Sequence, residues 1–375
     1  LIYLTIPFFF NYEKTIIKNK VCKDYNVVCV IKGSIKYSFI PSPRIKIKNL
    51  IIQDSNNKNK IFAKADNVII KLSIRDLMNK KVFNYKKVNL ERSLIYLDFV
   101  KIKKYDFFKN KKSNLKPISV RNSKIIFLDS KKEIASIKDL NLNYKFSNNL
   151  KKLTIKGLFL GEPIIVDLKD KIKKDKKSTI LTVKFLESKI LTKVNLSNLN
   201  LEKSLARGDI LFKKGKNRYR AAFSYSDKQL TIEESSLNNK FLNGKLKGEV
   251  IFSPFFTFNL ESNLSGLNLT KVHNFLSSLN IEDRKKLFKL NNKVNGEISI
   301  TADKIYSKHN LIKSIESNLK FINGDVSIER FIFDLGKLGA GDLTGFINNN
   351  KKFSNFKFES NLFVDNLKKF KSKFG

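Results

Sequence analysis

The chain reads as mainly β, and three observations carry that reading. Apolar and polar side chains alternate from about Val27 to about Val364, as where Leu140, Leu142, Tyr144 and Phe146 interleave with Asn141, Asn143 and Lys145. A period of two places one set on one strand face and the other set on the opposite face. No matching set of amphipathic helices is available to cover the long apolar face that results. Asn-Gly pairs at Asn243-Gly244, Asn295-Gly296 and Asn323-Gly324 each precede renewed alternation. Both residues tolerate the positive φ of a type I′ hairpin turn, so these pairs predict antiparallel meanders. The face has to be covered by something other than helices, and lipid fits it best.

Residues 1–10 are apolar, and no charge occurs before Glu13. Ten helical residues span roughly 15 Å, about half of a bilayer's hydrocarbon core. We read residues 1–12 as the end of a transmembrane anchor whose start is missing, with a cleaved signal peptide as the alternative. Lys14, Lys18, Lys20 and Lys23 follow. A positive-inside reading would place that side in the cytoplasm, but it carries little weight in so Lys-rich a chain.

A short helix is expected over Tyr12–Asp24, then strands through Gly33 to Phe39. The Pro41-Ser42-Pro43 elbow turns the chain into a strand at Arg44–Gln53. The next strand, Asn67 to Ile74, sets Val68, Ile70, Leu72 and Ile74 on one face. One helical turn is expected at Arg75–Lys80, and strands again around Val88–Val100. The first β domain is thus 13–100. Residues 101–117, rich in Lys, Asn and Ser, read as a loop. Alternation then fills 118–375, with the charge run Lys169–Lys177 as a solvated hairpin tip or loop.

A loose repeat recurs in which a strand end meets a helical start: Leu199 to Leu205, Leu267 to Leu276, and Val364 to Phe370. The middle copy predicts the best helix, near 270–290, with Val272, Phe275, Leu276 and Leu279 on one stripe. The spacing is too uneven for a strict solenoid.

The formal charge of +40 comes from 74 basic residues, of which nine are Arg, against 34 acidic ones. Such a charge raises nucleic acid or an anionic membrane as partner. Lys, Asn, Ile and Phe are inflated together, however, as in an AT-rich coding sequence. Lys on the wet face of strands also discourages edge-to-edge association. A solvated surface is therefore the main reading, with anionic lipid headgroups second and no specific nucleic acid. Lys216-Asn-Arg218-Tyr219-Arg220 mixes aromatic and basic residues, but no RNA-binding sheet motif accompanies it.

Cys22 and Cys29 are the only cysteines. A helix end folding back on a first strand would bring them within disulfide range, which suits an oxidising compartment; two separate buried thiols are the alternative. Two Cys cannot close a zinc site, and His273 and His309 lie far away. We expect no catalytic residues, no metal ligands and no cofactor. Gly336-Lys-Leu-Gly339-Ala-Gly341 lacks the Lys-Ser/Thr ending of a phosphate loop and reads as strand or bulge glycines. Glu233 and Glu234 are adjacent in a strand and so point to opposite faces, the wrong arrangement for acid–base work.

The N-terminal block resembles the AsmA family of bacterial envelope proteins. The residues concerned are Val30-Ile-Lys-Gly33 through Pro41-Ser-Pro43 to Asp54, then Ala65-Asp66 through Leu77, then Val88-Asn-Leu90-Glu-Arg-Ser-Leu-Ile. Asn295-Gly296 through Gly339-Ala-Gly341-Asp-Leu-Thr-Gly345 resembles the family's repetitive C-terminal region, while the middle matches by pattern alone. Departures are the Lys/Asn excess, the close Cys pair and the two ends.

The resemblance implies an elongated, twisted antiparallel sheet curled into a groove, anchored in the inner membrane of a Gram-negative bacterium with its bulk in the periplasm. It implies phospholipids as cargo moving toward the outer membrane. Candidate groove-lining residues are Val68, Ile70, Leu72, Leu140, Leu142, Tyr144, Phe146, Ile298, Ile300, Val326 and Ile328. Two rivals stay open: a structural or assembly factor for outer-membrane proteins that carries no lipid, and a polyanion-binding module whose affinity falls with salt.

Overall fold

Long runs of Ile, Val, Leu and Phe alternating with Lys, Asn and Ser suit a pleated, half-buried surface. In the computed structural model they form, among the described residues, twenty-two strands of a twisted, mixed sheet. The structure describes residues 2–10, 12–24, 27–53, 60–77, 84–98, 116–129, 132–147, 150–173, 176–200, 205–226, 228–252, 256–283, 294–308, 310–349 and 354–374. The expected loop at 101–117 lies almost wholly outside them, as do His309 and most of the first strand-to-helix repeat. The chain divides into two compact units, Leu1–Lys193 and Val194–Gly375, and the division falls inside one strand.

The first unit opens with β1 (Val28–Ile31), β2 (Ile35–Ser38), β3 (Arg44–Gln53), β4 (Ile61–Leu72) and β5 (Tyr85–Asp98). It continues with β6 (Ile118–Asp129), β7 (Lys132–Ser147), β8 (Leu150–Phe159), β9 (Glu162–Lys173) and β10 (Lys176–Phe185). β11 (Ile190–Asn200) carries the division. β1 and β2 share one edge of β3, and from β3 to β10 each strand pairs with the next. The Lys169–Lys177 charge run therefore lies along the ends of two paired strands, with Lys173 opposite Lys176.

The second unit comprises β12 (Leu205–Lys214), β13 (Asn217–Ser226), β14 (Gln229–Asn238), β15 (Leu242–Ile251) and β16 (Thr257–Asn268). It then runs through β17 (Asn295–Ala302), β18 (Ile305–Tyr306), β19 (Ser314–Ile322), β20 (Asp325–Asp334), β21 (Gly339–Asn349) and β22 (Ser354–Val364).

The expected antiparallel sheet is in fact mixed. β5 pairs with β6 in parallel, and β16 pairs in parallel with both β17 and β18. At these places the chain crosses over through 99–117 and 269–294 instead of turning back in a hairpin, as parallel neighbours require. The second crossover holds the helix Leu269–Ser278, capped by the Asn268 side chain, which accepts from Lys271 N at 2.9 Å. None of its residues is buried, although Phe275 meets Phe241 at 5.4 Å.

Only one of the three Asn-Gly pairs forms a hairpin turn. Asn323 and Gly324 have φ of 53° and 87° and join Ile322 to its partner Asp325. Asn243-Gly244 lies within the β15 ladders, and the real turn is made by Asn239, whose Oδ1 accepts from Phe241 N and Leu242 N. Asn295-Gly296 opens a strand paired in parallel, with Gly296 beside Phe258. Asn-Gly permits the turn, but an Asx side chain that binds its own backbone competes for it.

The N-terminus holds a helical turn Ile2–Thr5, a 3-10 turn Ile6–Phe9, and a second helical piece from Lys14 that continues as a π turn through Cys22. Among the described residues no helix is long and apolar enough to cross a membrane. Cys22 and Cys29 form a disulfide with a Cα separation of 6.1 Å, tying that helical piece to β1. Ile17, Val21 and both cysteines join one buried cluster with Ile45, Ile47, Val68 and Ile70 of β3 and β4.

Within this unit five neighbouring strands break their alternation in line. The buried set moves from Ile45 and Ile47 to Leu50 in β3, from Ala65 to Val68 in β4, and from Leu90 to Ser93 in β5. It moves from Val120 to Ser123 in β6, and from Ile137 to Leu140 in β7. Asn49, Arg92, Asn122 and Asp139 sit at four of these breaks with φ between 48° and 53°. A residue in left-handed conformation adds one step to a strand and sharpens its local twist.

Candidate functional site: the apolar sheet face

The second unit shows most clearly what the alternation builds. Register aligns Phe223, Ile232, Gly248, Leu260, Ile298 and Leu319 in one row across consecutive neighbours, and the row continues through Ile328 and Gly345 to Phe358. The next row passes from Val250 through Phe258, Gly296 and Phe321 to Val326, then Ile347 and Phe356. Gly296 has no side chain, so the Phe258 and Phe321 rings on either side of it meet at 5.4 Å. Gly341 does the same for Phe333, whose ring occupies the place a Cβ would take. The other glycines of the 336–341 segment act differently: Gly336 opens a 3-10 turn through Leu338 with φ of 63°, Gly339 starts β21 with φ of 129° against the Phe363 carbonyl, and a strand rather than a phosphate-loop helix follows.

Most side chains in these rows are half-buried, shielded by neighbours on their own face, and Phe356 and Phe358 of β22 are more than half exposed. A third row is mixed: Ser262, Ile300, Ser317, Phe331, Leu343 and Ser360 combine three hydroxyls with three apolar groups. Ser317 is buried between bulkier neighbours, and its hydroxyl has no hydrogen-bond partner.

The candidate groove-lining residues separate into groups. Ile298, Ile300, Val326 and Ile328 come together on this second-unit face. Leu142 and Tyr144 lie half-buried on the first unit's apolar face, paired with Ile155 and Leu153. Burial, and then the nearby Asp170 carboxylate, push the Tyr144 phenol pKa up. Val68, Ile70, Leu72 and Leu140 are sealed in the first unit's core, packed with the N-terminal helical piece and β1. The Phe146 side chain lies outside the described residues. Sequence reasoning named the apolar residues but not the rows, because register depends on which strands are neighbours, and three pairings are parallel.

The opposite face is polar. Lys247 meets Glu261 at 2.9 Å, and Lys320 meets Glu297 at 3.0 Å. The Lys247 ammonium, then the Asn263 amide, hold the Glu261 carboxyl below its ordinary value. Glu233 and Glu234 correct the reading that adjacent carboxylates point apart. A bulge in β14 shifts the half-buried set from Ile232 to Ser235, so both carboxylates line one open recess with Lys245, Lys247 and Glu261. Arg207 lies 3.6 Å from Glu233, which leaves this a neutralised patch of surface charge. Among the described residues no group of three or more His, Cys, Asp or Glu side chains is placed to hold a metal ion.

No family model matches the chain, and neither a curated protein nor a solved structure matches it.

Proposed function

We propose that this chain is a periplasmic protein of the AsmA type, anchored in the inner membrane, that shields phospholipid acyl chains on its apolar sheet face and helps move lipid toward the outer membrane. The observation that supports this most is the pair of apolar rows crossing the second unit from Phe223 to Phe358 and from Val250 to Phe356, in which most side chains are half-buried and Phe356 and Phe358 are more than half exposed. Each acyl methylene withdrawn from water on such a face gains about 0.8 kcal/mol. Many equivalent positions along a row let a chain slide without a tight site. The sealed core around Ile70 is scaffold in this reading, and cargo is confined to where the face is open.

Native mass spectrometry of gently purified protein, with phospholipid transfer between vesicles, tests the reading. Co-bound phospholipid together with transfer is the expected result. Empty protein with no transfer overturns it in favour of a structural or assembly role. Salt-sensitive nucleic-acid binding well beyond that of other equally basic chains would favour the polyanion reading instead.

A further inference from the structure

One end of the first unit carries an apolar tip assembled from three segments far apart in sequence. β3 begins there at Arg44 and β4 ends there at Leu72, whose N–H donates to Pro43 O at 3.0 Å. The N-terminal segment docks across both. Tyr3 donates its hydroxyl to the carbonyls of Ile74 and Arg75, and Tyr37 donates to Leu4 O at 2.8 Å. The Phe8 ring sits edge-on to Tyr37 and Phe39, at 5.1 and 5.8 Å. Pro7 is buried in this contact, whereas Phe9 is 88% and Ile40 69% exposed, and Phe8 and Ile74 are about half exposed.

Four large apolar side chains thus face water from three braced segments. The charge along these segments is mainly positive. Residues 2–10, 37–44 and 71–76 hold Arg44, Lys71 and Arg75 against a single acidic residue, Asp76, in the same turn as Ile74. The Arg44 guanidinium is held at the elbow by Ser42, its Nε donating to the carbonyl O at 2.9 Å. Exposed aromatic and aliphatic groups rimmed by cations are the chemistry of a surface that dips into the headgroup region of an anionic bilayer. A protein partner recognised through this tip would have to satisfy the cations with its own carboxylates, whereas anionic headgroups supply that charge wherever the tip lands.

We propose that this tip is a bilayer-contact surface: Phe8, Phe9, Ile40 and Ile74 enter the interfacial layer of an anionic membrane while Arg44 and Arg75 meet its phosphates. It requires neither that residues 1–12 span the membrane nor that the sheet carries lipid.

The chain has no Trp, so one introduced indole reports without background. Ile40→Trp is compared with Leu160→Trp, an exposed position at the β8–β9 turn of the same unit. Vesicles of mixed phosphatidylcholine and phosphatidylglycerol should blue-shift the emission of the Ile40→Trp variant, and bromine-labelled acyl chains should quench it. The emission of the Leu160→Trp variant should stay unmoved by either. The double variant Phe9→Ser/Ile40→Ser should lose at least tenfold in vesicle affinity while its strand signal in circular dichroism is retained. Equal responses of the two indole variants, an unshifted emission from Ile40→Trp, or unchanged affinity of the double variant would each overturn the proposal. Vesicle binding by protein that carries no co-purified lipid would sustain this inference while removing the transport reading.

Discussion

Arg92 and Asp66 face each other across β5 and β4, Nε to Oδ2 at 3.4 Å, where both strands shift their buried set by one residue. Both side chains are largely exposed, so the ion pair itself contributes little. The backbone matters more, because Arg92 has φ of 50°. Arg92→Gly should leave stability unchanged or raise it. Arg92→Val should lie about 1–2 kcal/mol below the Gly variant, the usual cost of left-handed backbone for an L side chain. Urea unfolding of the two variants checks this, and equal midpoints would remove the role assigned to the line of breaks.

On the second unit's face, Leu319→Asp should abolish co-purified phospholipid, since a carboxylate in the middle of an apolar row is costly to desolvate. Lys320→Gln, one residue on and therefore on the polar face, should leave the lipid content unchanged. Lipid extraction and mass spectrometry of the two proteins decide it. Equal loss would indicate global damage, and equal retention would place the lipid elsewhere.

Ser317 buries an unpaired hydroxyl in that face. Ser317→Ala should stabilise the protein by about 1 kcal/mol, the lower end of the cost of leaving such a group unsatisfied. A loss of stability in thermal unfolding would mean that the hydroxyl has a partner in solution.

Cys22→Ser/Cys29→Ser opens a short loop between the helical piece and β1. The chain-entropy account gives a loss of about 2–3 kcal/mol for a loop of this size. The same loss should appear in wild-type protein under reducing agent, and the double variant should be indifferent to it.

Tyr144 and Tyr219 lie on the apolar faces, and burial raises both phenol pKa values. Below the ordinary phenol value of about 10, folded and unfolded chains alike keep the proton, so the contribution to stability is fully present. Above it the unfolded chain ionises first, and stability falls as pH rises through the folded values. Tyrosinate absorbance should therefore lag behind that of free tyrosine and then rise together with loss of the strand signal. Tyr144→Phe should blunt that coupling.

Much of this was legible in the residues. Alternation located the strands, the Pro41-Ser42-Pro43 elbow separated β2 from β3, and the stripe at Val272 and Phe275 marked the helix. The breaks in phase were also written there, as polar doublets such as Lys48-Asn49, Asp66-Asn67, Arg121-Asn122 and Lys138-Asp139. Each doublet interrupts a strand without ending it, and a strict period of two passes over it. Glu233-Glu234 is the same signal in the second unit. The parallel pairings had no local signature, because they depend on where the chain returns after 99–117 and 269–294. The closure of Val68 and Ile70 was hidden for a related reason: an apolar strand face looks the same in sequence whether water, lipid or a helix lies against it.

Those two parallel seams also set the order of assembly. Most other pairings join strands that follow one another closely in the chain, so they can zip within microseconds of local search. β5 with β6, and β16 with β17, must wait until a long intervening stretch has closed on itself, and such distant closure slows folding. The chain should therefore form separate blocks of hairpins early and spend its waiting time at the two seams, where an unmated strand edge is longest on show.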